Sequence, residues 1–233
     1  MMERKMKYSL IDPVLEAQIA GILLKIRLSM NGIVSGHMTQ SGIIYKTNYG
    51  VTIPRIKEIA AGYSPNHELA QRLWAMQIRE TMIMATLLQP VEKFTAGNAL
   101  EWVTQFNQIE IVEQTCMSLF CKLPFADALI LKWIQSEDIW EKITGFILAA
   151  RIINKLSRDQ IKVILSKAIE ISDTDDLHLY KAVGLCLSRL CRKDKETAAL
   201  ILNEIESIDQ TPSVGQQYIS AEVKQEILFL DIL

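Results

Sequence analysis

The sequence has few of the residues that punctuate β-structure, with 10 glycines and 6 prolines in 233 residues. A strand-and-turn protein turns roughly every 8–12 residues, so an all-β fold is excluded. Histidine is scarce as well. His37, His67 and His178 are far apart and form no H-x-x-x-H pair. The four cysteines, Cys116, Cys121, Cys186 and Cys191, fall in two pairs spaced i,i+5. On a helix such side chains diverge by roughly 140°, which suits neither a zinc site nor a local disulfide. Reduced thiols in the core of a cytoplasmic protein are expected, with no metal and no cofactor. No apolar run is long enough to span a membrane. The N-terminal stretch MMERKMKYSLIDP is charged and lacks an apolar h-region, so no signal peptide is expected. Phosphate-loop, dinucleotide and nucleophile-elbow motifs are missing, which leaves nucleotide hydrolysis, dinucleotide redox and serine-hydrolase chemistry without support.

What is present is helical. Hydrophobic residues make up 49% and charged residues 22% of the chain, an ordinary globular balance with enough length for a sizeable core. Asp12-Pro13 reads as an N-cap followed by proline at the first helical position, and Asn31-Gly32 reads as that helix's stop. Residues 32–53 are the least regular and predict a short helix plus loops. Pro54, Asn66, Asn98, Asn107, Pro124, Glu137, Ser157 and Asp176 open further apolar-periodic runs, Ser157 with Gln160 forming a capping box. The count is about a dozen helices of roughly 10–18 residues, paired at a spacing of about 35. This predicts an all-α, HEAT-like helical-repeat solenoid with a concave groove, the alternative being an irregular all-α bundle. No low-complexity linker interrupts it, so one domain over 1–233 is expected. Trp74, Trp102, Trp133 and Trp140 fall at apolar helical positions and are expected in the core.

The net charge of −2 hides an asymmetry. Residues 196–233 hold one lysine against seven acids, and residues 1–195 hold 24 basic against 20 acidic residues. The acidic C-terminal helices are expected to cap the solenoid, since terminal repeats need a polar outer face. The body is mildly basic. Its clusters at 142–167 and 181–195 fit either a solvated face or a groove that follows a phosphate backbone.

The stretch NQIEIVEQTC, 107–116, places Glu110 and Glu113 on one side of a helix. With Asn107 as N-cap, Glu110 completes a capping-box variant and gains from the helix dipole. Glu113 has Ile109, Cys116, Met117 and Phe120 as helical neighbours. A carboxylate among these is either paired or functional.

Four segments, in order, carry a resemblance: YGVTIPRIKEIA (49–60), ELAQRLWAMQIRETMIMATLL (68–88), EWVTQFNQIEIVEQTCMSLF (101–120) and KAVGLCLSR (181–189). Together they resemble the AlkD-like DNA alkylation repair proteins, a HEAT-like repeat family, over about residues 45–192. The resemblance implies a solenoid holding duplex DNA by its backbone, with active members excising cationic N3- or N7-alkylated purines. A carboxylate stabilises the oxocarbenium-like sugar in such members. Glu113 falls at the family's catalytic Asp. Ile109 and Leu185 fall where active members carry tryptophans. Ser188 falls at an arginine with Arg189 adjacent, and the catalytic-site arginine aligns near Ile143, beside Lys142. The candidate site residues, from the resemblance and the basic clusters together, are Glu113 as the catalytic carboxylate and Lys142, Lys181, Arg189 and Arg192 as DNA contacts. Three readings remain open: a glycosylase, a non-excising protein that binds duplex or branched DNA, and a protein-binding scaffold.

Overall fold

The computed structural model describes residues 12–207 and 212–231. The reading of the N-terminal stretch therefore falls largely outside the described residues. Among the described residues there are thirteen α-helices, three 3-10 turns and no β-strand, apart from a lone bridge between Thr47 and Ile78. The chain divides into two compact units at Pro90/Val91.

The first unit holds α1 (Pro13–Leu28), α2 (Gly32–Gln40), α3 (Ile53–Ala60), α4 (His67–Ala75) and α5 (Arg79–Leu88). Asp12 caps α1 by accepting from the Val14 and Leu15 amides. Asn31 does not stop α1, which has already ended at Leu28. Its side chain accepts from the Ile33 and Val34 amides and starts α2 instead. The reason is that an asparagine oxygen next to free amide donors is a strong N-cap. The Y-G-V motif between α2 and α3 is held from within. Glu80, fully buried on α5, accepts from the Tyr49 amide with both carboxylate oxygens and from the Val51 amide, each at 3.2 Å. Arg79 bonds Glu80 at 3.1 Å and the Val51 carbonyl at 2.8 Å. Gly50 adopts φ +69°, and a Cβ there would lie 2.2 Å from the Asn31 carbonyl oxygen, so only glycine fits.

The second unit holds α6 (Ala96–Val103), α7 (Ile109–Ser118), α8 (Ala126–Trp133), α9 (Ile139–Arg151), α10 (Arg158–Glu170), α11 (Leu177–Leu190), α12 (Lys195–Glu206) and α13 (Val214–Leu230). These form two rows. In the front row α7 packs on α9, α9 on α11, and α11 on α13, while α8, α10 and α12 pack in sequence as the back row. The front helices begin at 109, 139, 177 and 214, which matches the repeat length read from the sequence. The rows meet through aromatic packing. Phe120 lies 5.5 Å from Trp133 and 6.1 Å from Phe94, whose ring meets Trp102 edge-on at 4.9 Å. Such pairs add about 0.5–1.5 kcal/mol each beyond their buried area. Gly145 lets α8 and α9 approach closely, since a Cβ there would sit 2.8 Å from Ile134 Cγ2. Gly184, in the K-A-V-G motif, does the same for α11 against Tyr218 of α13.

Helix lengths run from 8 to 17 residues, shorter at the low end than expected. Asn107 is not the cap of α7. The helix starts at Ile109 with Gln108 as N-cap and no side-chain cap bond, so Glu110 is a first-turn acid, not half of a capping box. The capping box at Ser157–Gln160 is present. Three cysteines are buried and Cys121 is half-buried, and all four are free. Burial pushes the Cys116 and Cys186 thiols far up and Cys191 to about 12, so these thiols are inert at neutral pH. No single described helix is long and apolar enough to cross a membrane.

Candidate nucleic-acid interface

The front row presents a face built by helical register. On α9, Trp140, Thr144, Ile147 and Arg151 recur at i, i+4, i+7 and i+11 and share one side. On α7, Ile109 and Glu113 lie one turn apart. On α11, His178, Lys181 and Leu185 do likewise. Their side chains enclose a cleft of about 230 Å³, lined by Ile109, Glu113, Ile147, Leu177, His178, Lys181, Ala182 and Leu185. Thr144 locks the local helix by donating to the Trp140 carbonyl at 2.6 Å.

Glu113 reaches solvent, but the aliphatic wall takes water from one side of it. This desolvation pushes its carboxyl above the usual range. The Arg151 guanidinium pulls the other way, and the Glu110 carboxylate adds a smaller upward push. The cation facing Glu113 is thus Arg151. Ile143, where the aligned arginine was expected, is buried in the α9 core. Helical counting puts Arg151 on the Trp140 face of α9, but only the packing of α7 on α9 turns that face toward Glu113.

The other basic residues divide sharply. Lys181 is exposed on the cleft rim, and Arg189 follows Leu185 by one turn on the same side of α11. Neither forms an ion pair among the described residues. Arg192, past the end of α11, is bonded to Glu226 of α13. Lys142 lies roughly 200° around α9 from Trp140, away from the face bearing Glu113's neighbours. Lys155 donates to the Cys121 carbonyl at 3.0 Å, and Lys193 to the Leu156 and Ile153 carbonyls at 2.6 and 3.1 Å. Arg158 pairs with Glu196 at 2.7 Å, and Lys167 with Glu170 at 2.6 Å. Much of the basic clustering therefore serves helix ends and surface pairs.

Trp140 departs from its expected core position. Trp74, Trp102 and Trp133 are at most 2% exposed, whereas Trp140 is half-exposed and sits 6.0 Å from the His178 ring, at a 31° tilt. Its position two residues after the Asp138 N-cap, in the first turn of α9, was the available signal. No cluster of His, Cys, Asp or Glu among the described residues is arranged to hold a metal ion.

The family model described as DNA alkylation repair enzyme matches residues 35–213. The chain belongs to this DNA alkylation repair enzyme family. The matched span runs from α2 to the start of α13, and it includes every residue of the Glu113 cleft. Among solved structures this family member is similar to a protein from a new family related to the HEAT-like repeat DNA glycosylases with affinity for branched DNA structures. The TM-score is 0.75 at 14% identity, over 88% of this chain and 94% of that one. The fold is therefore the HEAT-like helical-repeat fold. No curated protein matches the chain by sequence.

Proposed function

We propose that the protein binds DNA by its backbone along the α7–α9–α11 face, and that Glu113 assists excision of a cationic alkylated purine there. The observation that carries this reading is a carboxylate that reaches solvent yet is partly desolvated, set in a cleft with cations around it. A poorly hydrated carboxylate is worth more to an arriving positive charge than a fully hydrated one. In the proposed step the C1′–N bond breaks and its electron pair leaves with the base, which departs neutral. Positive charge then develops on the sugar, opposite Glu113. Water adds to C1′ and gives up a proton. Arg151, Lys181 and Arg189 are placed to take phosphates.

A second reading, structure-selective DNA binding without excision, has its own support. Ile109 and Leu185 give the cleft an aliphatic wall where active relatives are expected to place aromatic rings. The structural relative named above has affinity for branched DNA structures.

Both readings require backbone contact, which salt measures. The log of affinity should fall with log salt by roughly 0.9 per phosphate on duplex DNA. The double variant Lys181→Glu, Arg189→Glu should bind about tenfold more weakly at low salt and lose about two units of that slope. Unchanged affinity and slope would remove these two residues from the interface. Release of 7-methylguanine or 3-methyladenine from methylated duplex then separates the readings. Release supports excision, and DNA binding with no release at enzyme excess leaves the structure-selective reading.

A further inference from the structure

Trp140 and His178 stand in the first turns of adjacent front-row helices, α9 and α11. Their rings form a tilted pair of 6.0 Å centroid separation, and both are half-exposed. His178 lines the Glu113 cleft, so the pair adjoins it. The other three tryptophans are core, so this exposed indole is not needed to fill a helix interface. Apolar ring surface left half in water gains from a flat apolar partner. The charges around the pair set the direction such a partner takes. Asp138 and Asp176 are the N-caps of these helices, each carboxylate already accepting first-turn amides. They repel phosphate from the helix ends. Lys181 lies one turn along α11 from His178 and offers an exposed ammonium on the other side of the rings.

We infer that the Trp140–His178 pair is a stacking platform for an unpaired nucleobase, with the phosphate of that nucleotide on Lys181. The inference rests on the DNA-binding reading above and adds what the face selects: DNA with a base outside the stack, as at a bulge or branch point. Base–aromatic stacking tolerates any base, since every base has a π-face, so the platform selects for exposure and not for sequence.

The test uses the full chain with two DNAs of equal length, one fully paired and one carrying a single bulged adenine. The wild type should bind the bulged DNA about tenfold more tightly. Because Trp140 alone among the four tryptophans is solvent-accessible, iodide should quench it selectively, and bulged DNA should protect it. Trp140→Ala and His178→Ala should bind both DNAs equally, with thermal melts close to wild type. Trp140→Phe should keep the preference and lose the iodide-sensitive signal. Equal wild-type affinity for the two DNAs, or a preference that survives Trp140→Ala, overturns the platform while leaving DNA binding intact. Absence of binding to either DNA overturns the DNA-binding reading itself and the platform with it.

Discussion

Glu113→Gln is expected to lower the rate of alkylpurine release by about a hundredfold or more while leaving DNA affinity unchanged or slightly raised. The physical basis is that the substitution keeps shape and removes only charge. A carboxylate placed before the reaction stabilises charge that develops during it, and losing one such preorganised group typically costs about 10²–10³ in rate. Binding moves the opposite way, if at all, because a carboxylate in a phosphate-binding face is repulsive in the ground state. Single-turnover release from methylated duplex, measured beside equilibrium binding, separates the two. Equal release by wild type and variant would remove Glu113 from the chemistry.

The same substitution has a second signature, in stability. Desolvation raises the Glu113 pKa in the folded protein. The folded state therefore holds the proton more tightly than the unfolded chain does. Stability from this group is fully present below the ordinary glutamate value and falls as pH rises through the raised one. Near neutral pH the charged side chain is a net cost that glutamine does not carry. Glu113→Gln should melt slightly higher than wild type at about pH 7 and no higher at about pH 4. A lower melting temperature at neutral pH would mean that Arg151 outweighs the desolvation.

The largest stability effect is expected from Glu80→Ala, about 3–5 kcal/mol. Removing this buried carboxylate orphans the Tyr49 and Val51 amides and takes away the Glu80 end of the buried Arg79–Glu80 pair. Each unsatisfied donor costs about 1–3 kcal/mol, and breaking a buried ion pair adds to it. The loop at 47–51, which also bonds Asn31 through the Tyr49 carbonyl, would detach from α5. A fall in urea midpoint and new tryptic cleavage at Lys46 or Arg55 would report it. Glu58→Ala is the control. Its pair with Arg55 is exposed on both sides, and such pairs are worth about 0–1 kcal/mol. Similar effects from the two variants would mean that the buried network is not what holds the loop.

The sequence by itself determined the helices, their repeat spacing and the family. These follow from local periodicity, capping residues and motif order, which survive without knowledge of long-range contacts. Asp12, Asn66 and Ser157 cap as read because an N-cap bond closes within three residues. Asn31 and Asn107 were misplaced because competing start and stop signals lie within a few residues of each other, and packing chooses between them. Glu113, Lys181 and Arg189 are candidates named from their motifs, and the front row carries all three. The tertiary structure alone decided which cation meets Glu113 and which tryptophan is free. Arg151 lies 38 positions from Glu113 in sequence, and Trp140 lies 38 from His178. Each pair is joined only by the lateral packing of one front-row helix on the next. Local pattern fixes the face a residue occupies on its own helix, but the register between neighbouring front-row helices is set by side-chain packing such as Gly184 of α11 against Tyr218 of α13. That packing turns separate motifs into one cleft.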